Sequence, residues 1–263
     1  MLKALTIAGS DPSGGAGIQA DLKTFMAFGL YGMSVITSVT AQNTLGVYAV
    51  QDVATDIVEK QLDAVFSDIF PDCVKIGMVS SCSIIEAIAK KLRQYRPKNV
   101  VLDPVMISTS GHELIDSETA IMLFEKLVPL SDVITPNIPE AEALCGFKIS
   151  GIGLQESAAR RIAQNYSGAI LIKGGHLTGP ADDLLLANGK IIWIKGKRID
   201  TKNTHGTGCT LSSALAAALA QGFDISEAAE KGKRFVTLAL ESGLSIGNGC
   251  GPLDHLHGAG MNG

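Results

Sequence analysis

The run Thr204-His205-Gly206-Thr207-Gly208-Cys209-Thr210 places two glycines directly before a segment of good helix formers, Leu211-Ser212-Ser213-Ala214-Leu215-Ala216. A helix start leaves several backbone N–H groups unpaired and is the positive end of the helix dipole. Glycine there lets an anion approach those donors without a Cβ in the way. The segment is suited to hold a phosphate, although Gly and Thr also serve as ordinary caps. Cys209 falls in the first turn, a position that lowers a thiol's pKa and favours thiolate. It is a candidate base or nucleophile, although a cysteine taken alone is more often a small buried packing residue.

Three further groups stand after apolar runs. Asp103 precedes Pro104, Glu140 follows Pro139, and Lys173 precedes Gly174-Gly175-His176. Carboxylates at phosphate sites hold Mg²⁺ directly or through water, and a lysine there contacts a nucleotide phosphate. The competing readings are a turn for Asp103, a charge in a helix first turn for Glu140 and a solvated side chain for Lys173. The loop Gly9-Ser10-Asp11-Pro12-Ser13-Gly14-Gly15-Ala16-Gly17 reads either as a flap that closes over a ligand or as a surface turn. It is not a dinucleotide fingerprint, because Gly15 comes well after the preceding strand and no acidic residue follows at the required distance. No Walker A motif is present. His255-x-His257, near a Gly-rich tail, reads as surface rather than metal.

These residues need elements to position them. Apolar runs at 2–8, 35–41, 73–76, 100–102, 133–134 and 169–172 read as strands. Between them, 16–28, 55–69, 83–95 and 117–128 read as helices, with Thr55 as an N-cap. The alternation implies right-handed βαβ units, a mostly parallel central sheet and helices on both faces. Asn188-Gly189 sits between two β-rich runs in 184–199, the signature of a type I′ hairpin, expected at the sheet edge. The Ala-rich stretch 207–240 reads as helical. Ligands bind such sheets beyond the carboxyl ends of the strands, where the polar and small residues of this chain gather. One domain over 1–263 is the simplest organisation.

Composition narrows the partners. The formal charge is −4, with no basic excess, which argues against nucleic acid or an anionic membrane. No apolar stretch reaches spanning length. The five cysteines include no Cys-x-x-Cys pair, so a reducing, cytoplasmic setting is expected.

Taken together, seven collinear stretches resemble one family. They are residues 8–21, Thr40-Ala41-Gln42-Asn43-Thr44, Lys75-Ile76-Gly77-Met78, Asp103-Pro104-Val105-Met106, Thr135 to Glu142, Lys173 to His176, and Thr204 to Thr210. The chain is similar to the hydroxymethylpyrimidine/phosphomethylpyrimidine kinases of the ribokinase superfamily. The resemblance implies a ribokinase-like three-layer α/β sandwich, usually a homodimer. It implies two ATP-dependent phosphorylations that make hydroxymethylpyrimidine diphosphate for thiamine biosynthesis. By the same resemblance Gln42 would hydrogen-bond the aminopyrimidine, and Gly9, Asp21, Met78 and Val105 would line the substrate pocket. Gly206, Thr207, Gly208 and Cys209 would form the anion hole. Asp103 and Glu140 would lie in the Mg²⁺ region, and Asn137, Lys173 and Thr204 would face the nucleotide. Cys209 stands where most of the superfamily has Asp, and Thr109 where a lid Lys is common, so Thr109 is left out of the site. Some members phosphorylate pyridoxal or related vitamers, which is the alternative activity. A sugar kinase or a non-catalytic pyrimidine binder fits less well, since a simple binder has no use for an anion hole.

Overall fold

The computed structural model describes residues 1–106, 115–176 and 180–260; Thr109 lies outside them. The chain begins with β1 (Lys3–Ser10), α1 (Gly17–Ala27), β2 (Tyr31–Asn43), β3 (Gly46–Asp52), α2 (Thr55–Asp68) and β4 (Cys73–Ile76). It continues through α3 (Cys82–Tyr95), β5 (Val100–Leu102), α4 (Ser117–Lys126), β6 (Val133–Ile134), α5 (Ile138–Cys145), α6 (Ile152–Ile162) and β7 (Ala169–Ile172). Last come β8 (Asp183–Ala187), β9 (Lys190–Ile194), α7 (Thr207–Ala220), α8 (Ile225–Glu241) and the short α9 (His255–Gly258).

Among the described residues the strands form one nine-stranded sheet in the order β3-β2-β1-β4-β5-β6-β7-β8-β9. From β2 to β7 every neighbouring pair is parallel. Antiparallel pairing is confined to the two edges. The central strands are short and buried on both faces, as expected where helices cover a parallel sheet. One face packs against α2, α3, α4 and α6 through residues such as Leu62, Ile85, Leu123 and Ile162. The other packs against α1, α7 and α8 through Phe25, Leu215 and Val236. This is the three-layer α/β sandwich expected from the alternation of strands and helices.

The Asn188-Gly189 hairpin lies at the sheet edge, with φ of 50° and 74°, the left-handed pair a type I′ turn demands. Three details differ from the sequence reading. β3 was not anticipated: most of its residues are exposed, so it lacks a buried alternation. Thr55 is the first helical residue of α2 rather than its cap; the cap position is Ala54, and the Thr55 hydroxyl pairs with Ser83 Oγ at 2.9 Å. The stretch 207–240 is two helices, broken around Gly222, whose φ of 90° suits glycine.

Candidate active site

The carboxyl ends of the strands open into a cleft of about 710 Å³. α7 points its N-terminus into it. Gly206 occupies the cap position at φ 83°, and no side chain caps the helix. The Gly208 and Cys209 amides of the first turn therefore face the cleft. A Cβ at Gly206 would collide with the Gly15 carbonyl, so the Gly-rich loop and the helix start pack backbone against backbone.

Lys173 leaves the end of β7 and reaches the Asp103 carboxylate after β5, with Nζ 2.7 Å from Oδ1. Glu140 Oε2 lies 4.0 Å from the same ammonium. A Cβ placed on Gly208 would stand 3.3 Å from both Asp103 Oδ2 and Lys173 Nζ. Helix start, ammonium and carboxylate thus share one spot. Burial works against the charge of Lys173, but Asp103 and Glu140 overcome it and hold its pKa above the ordinary lysine value. Glu140 also closes a capping box on α5: its Oε2 accepts from the Asn137 amide at 2.7 Å, and Asn137 Oδ1 accepts from the Glu140 amide at 2.9 Å. Burial, with Asp103 adding to it against the pull of Lys173, pushes the Glu140 carboxyl up to about 7.

Two carboxyl groups facing one ammonium offer the oxygen ligands that a divalent cation takes. Among the described residues no cluster of three or more His, Cys, Asp or Glu could cage a metal.

Gln42 also lines the cleft; it follows a β-bulge between Ala41 and Gln42, a device that re-aims a side chain. Thr40 Oγ1 donates to Gln42 Oε1 at 3.2 Å. Gly9, Met78 and Val105 line the same cleft. Asn137 and Thr204 line the cleft nearer Lys173 and α7. The Gly-rich loop is braced: Asp11 Oδ1 accepts from the Ser13 amide and hydroxyl, and Oδ2 accepts from the Ala16 amide. Burial would raise the Asp11 pKa, but the bonds from His205, Ser13 and Ala16 outweigh it and hold the carboxyl low.

Three sequence expectations need correction. Asp21 is fully buried and does not line the cleft; it pairs with Lys75 Nζ at 2.9 Å beneath the floor. The Cys209 thiol is raised above its ordinary pKa, not lowered. Burial and the charges of Asp21 and Asp103 outweigh Lys75 and the Gly17 amide. His255 is buried, bonding Thr210 Oγ1 through Nε2 at 3.1 Å. The sequence reading also missed part of the wall. Lys233, Val236, Thr237 and Leu240 line the cleft, at the i, i+3, i+4, i+7 spacing of one helical stripe, which was the available signal.

An uncapped helix start facing a lysine and two carboxylates at the strand ends of this sandwich defines a phosphoryl-transfer enzyme, a kinase of ribokinase-like fold. The chain belongs to the phosphomethylpyrimidine kinase family, whose model matches residues 11–254. It is 49% identical over 258 residues to a Rhizobium meliloti hydroxymethylpyrimidine/phosphomethylpyrimidine kinase, covering 97% of each chain. It is 49% identical over 253 residues to a Geobacter sulfurreducens thiamine biosynthesis bifunctional protein, covering 96% of this chain and 52% of that one. Among solved structures it is similar to an ADP complex of Bacillus subtilis pyridoxal kinase, with a TM-score of 0.90, 38% identity and 98% of each chain covered.

Proposed function

We propose that the chain, as one kinase domain over 1–263, transfers the γ-phosphate of ATP to hydroxymethylpyrimidine and then to its monophosphate, giving the diphosphate used in thiamine biosynthesis. The observation that carries this reading is the convergence of the α7 start, Lys173 and Asp103 around Gly208, with Gln42 lining the same cleft. Phosphoryl transfer needs positioning and charge stabilisation more than covalent help. The Gly208 and Cys209 amides take the charge on the transferring group. Lys173, Asn137 and Thr204 hold the nucleotide phosphates, and the apolar stripe Val236–Leu240 with Ile199 gives the base a surface. Asp103 and Glu140 would hold Mg²⁺, which would neutralise polyphosphate charge.

At the substrate end Gln42 reads the polar edge of the ring, while Met78 and Val105 meet its faces. Cys209 is the cleft-facing group placed to take the alcohol proton. Its raised pKa means that the base is the minor thiolate fraction, a stronger proton acceptor than an ordinary thiolate. The five free cysteines suit a reducing, cytoplasmic setting. Among the described residues no helix is long and apolar enough to cross a membrane. Exposed Val39, Leu45, Tyr48 and Val50 on the β2–β3 hairpin suit a homodimer contact.

The test is ATP-dependent phosphorylation of hydroxymethylpyrimidine, its phosphate and pyridoxal, supplied at equal concentration. Preferential formation of the pyrimidine diphosphate is expected. Turnover of pyridoxal alone would favour the second reading, a vitamin B6 kinase, which the similarity to pyridoxal kinase keeps in play. No turnover of any of the three overturns the proposed function.

A further inference from the structure

His205 belongs to none of the groups assigned above, yet it stands where three parts of the cleft meet. Its Nε2 lies 2.7 Å from Asp11 Oδ2 and 3.2 Å from Gln42 Nε2. The side chain is buried. A Cβ on Gly15 would overlap the His205 ring, so the Gly-rich loop lies flat against the imidazole. The next residue, Gly206, begins the phosphate-binding turn. One ring therefore touches the loop through Asp11 and Gly15, and the ring-reading residue through Gln42.

The chemistry at Nε2 is constrained. An ionised carboxylate only accepts, and the bonds that hold Asp11 low keep it ionised. The Nε2 hydrogen must therefore point to Asp11. A nitrogen that donates has no lone pair left to accept, so the ring offers nothing to the Gln42 amide hydrogens. The Thr40 hydroxyl has one hydrogen to share between Ser10 O at 3.1 Å and the Gln42 carbonyl at 3.2 Å. Gln42 is left with its NH₂ group, a donor in want of an acceptor, beside a carbonyl that keeps room for a donor.

We propose that His205 is a positioning residue for substrate choice: by donating to Asp11 it docks the Gly-rich loop and leaves the Gln42 amide hydrogens for a ring acceptor. The ligand class selected is a flat heterocycle with a bare ring nitrogen at that edge. This rests on the pyrimidine-kinase reading of the cleft.

Four measurements test it. His205→Leu should raise KM for hydroxymethylpyrimidine about tenfold, the size of one lost hydrogen bond, with KM for ATP unchanged within about twofold. His205→Gln, which can place a donor near the same point, should recover most of the loss. In a Gln42→Ala background, His205→Leu should have little further effect, because the two act as one unit. Equal rises in both KM values, or a full effect without Gln42, overturn the assignment. The fourth measurement needs no substrate: ¹⁵N NMR of the wild-type ring should find Nε2 protonated, and a ring protonated on Nδ1 alone overturns the assignment even if the variants fail to fold. Wild-type protein that phosphorylates no hydroxymethylpyrimidine fails the proposed function separately, with the NMR result still deciding the role of His205.

Discussion

The Asp21 carboxylate meets the Lys75 ammonium at 2.9 Å with neither side chain exposed. Thr6 Oγ1 and Ser213 Oγ donate to the same carboxylate at 2.6 and 2.7 Å. The four side chains come from β1, α1, β4 and α7. Those elements carry Gly9, the end of the Gly-rich loop, Met78 and Cys209 to the cleft. Burial opposes the charge of Lys75, but Asp21, Cys209 and Asp103 overcome it and keep the ammonium protonated.

Lys75→Met should strand a buried carboxylate and cost about 3–5 kcal/mol of stability. Adding Asp21→Asn removes the stranded charge and should restore most of that loss. Urea unfolding of wild type, single and double variants measures both effects. A double variant no more stable than the single one would mean that shape, not charge, fixes this node.

Cys209→Ala separates the two phosphorylations. The first nucleophile is an alcohol that must lose a proton; the second is a phosphate monoester, largely ionised because its second pKa is about 6. General-base help is worth about 10²–10⁴-fold, so the variant should lose that much in the first step and far less in the second. The raised thiol pKa adds a pH signature. The thiolate fraction grows with pH below the pKa, so the first step should quicken about tenfold per unit from pH 7 upward. The second should stay nearly flat. Single-turnover rates for each substrate decide it; equal losses in both steps would remove the base assignment.

Asp103→Asn removes one of two carboxylates beside Lys173. The Mg²⁺ concentration for half-maximal rate should rise by roughly 10–100-fold. Binding of magnesium-free ADP, measured by calorimetry, should not weaken, because a repelling charge has gone. An unchanged Mg²⁺ requirement would return Asp103 to a purely structural part.

His255 is buried, and burial, with Lys23 adding to it, depresses its pKa from 6.5 to about 4. The unfolded chain takes up a proton near pH 6.5 that the native protein refuses until about pH 4. The stability due to neutral His255 is therefore fully present above pH 6.5 and lost as pH falls toward 4. The loss should amount to roughly 1–3 kcal/mol. Urea midpoints at pH 7.5 and 4.5 should differ by less in His255→Gln, whose amide can still bond Thr210. Identical pH dependence in the variant would show the loss to come from other groups.

The sheet and its strand ends were legible because they rest on local signals: short apolar runs, turn chemistry at Asn188-Gly189, and polar residues where strands stop. The cleft residues were legible mainly by resemblance. Lys75 shows the limit. A lysine in a buried strand makes sense only beside Asp21, which is 54 residues away. The direction of the Cys209 shift was misread for a related reason. Helix position is written in the local sequence, whereas burial under Asp21 and Asp103 exists only after folding. β3 escaped because an edge strand exposed on most positions has no apolar alternation to read.

The Asp11–His205 contact joins residues 194 positions apart, and this sets an order of events during synthesis. A ribosome adding about 5–20 residues per second needs on the order of 10–40 s to travel from one to the other. Throughout that interval the Gly-rich loop has no partner to dock on and the phosphate-binding turn does not exist. Closing so distant a pair is slow in loop-entropy terms, so the catalytic cleft is among the last features to form. Nascent chains can build much of their sheet while unable to squander nucleotide, and activity switches on only when the two remote segments meet.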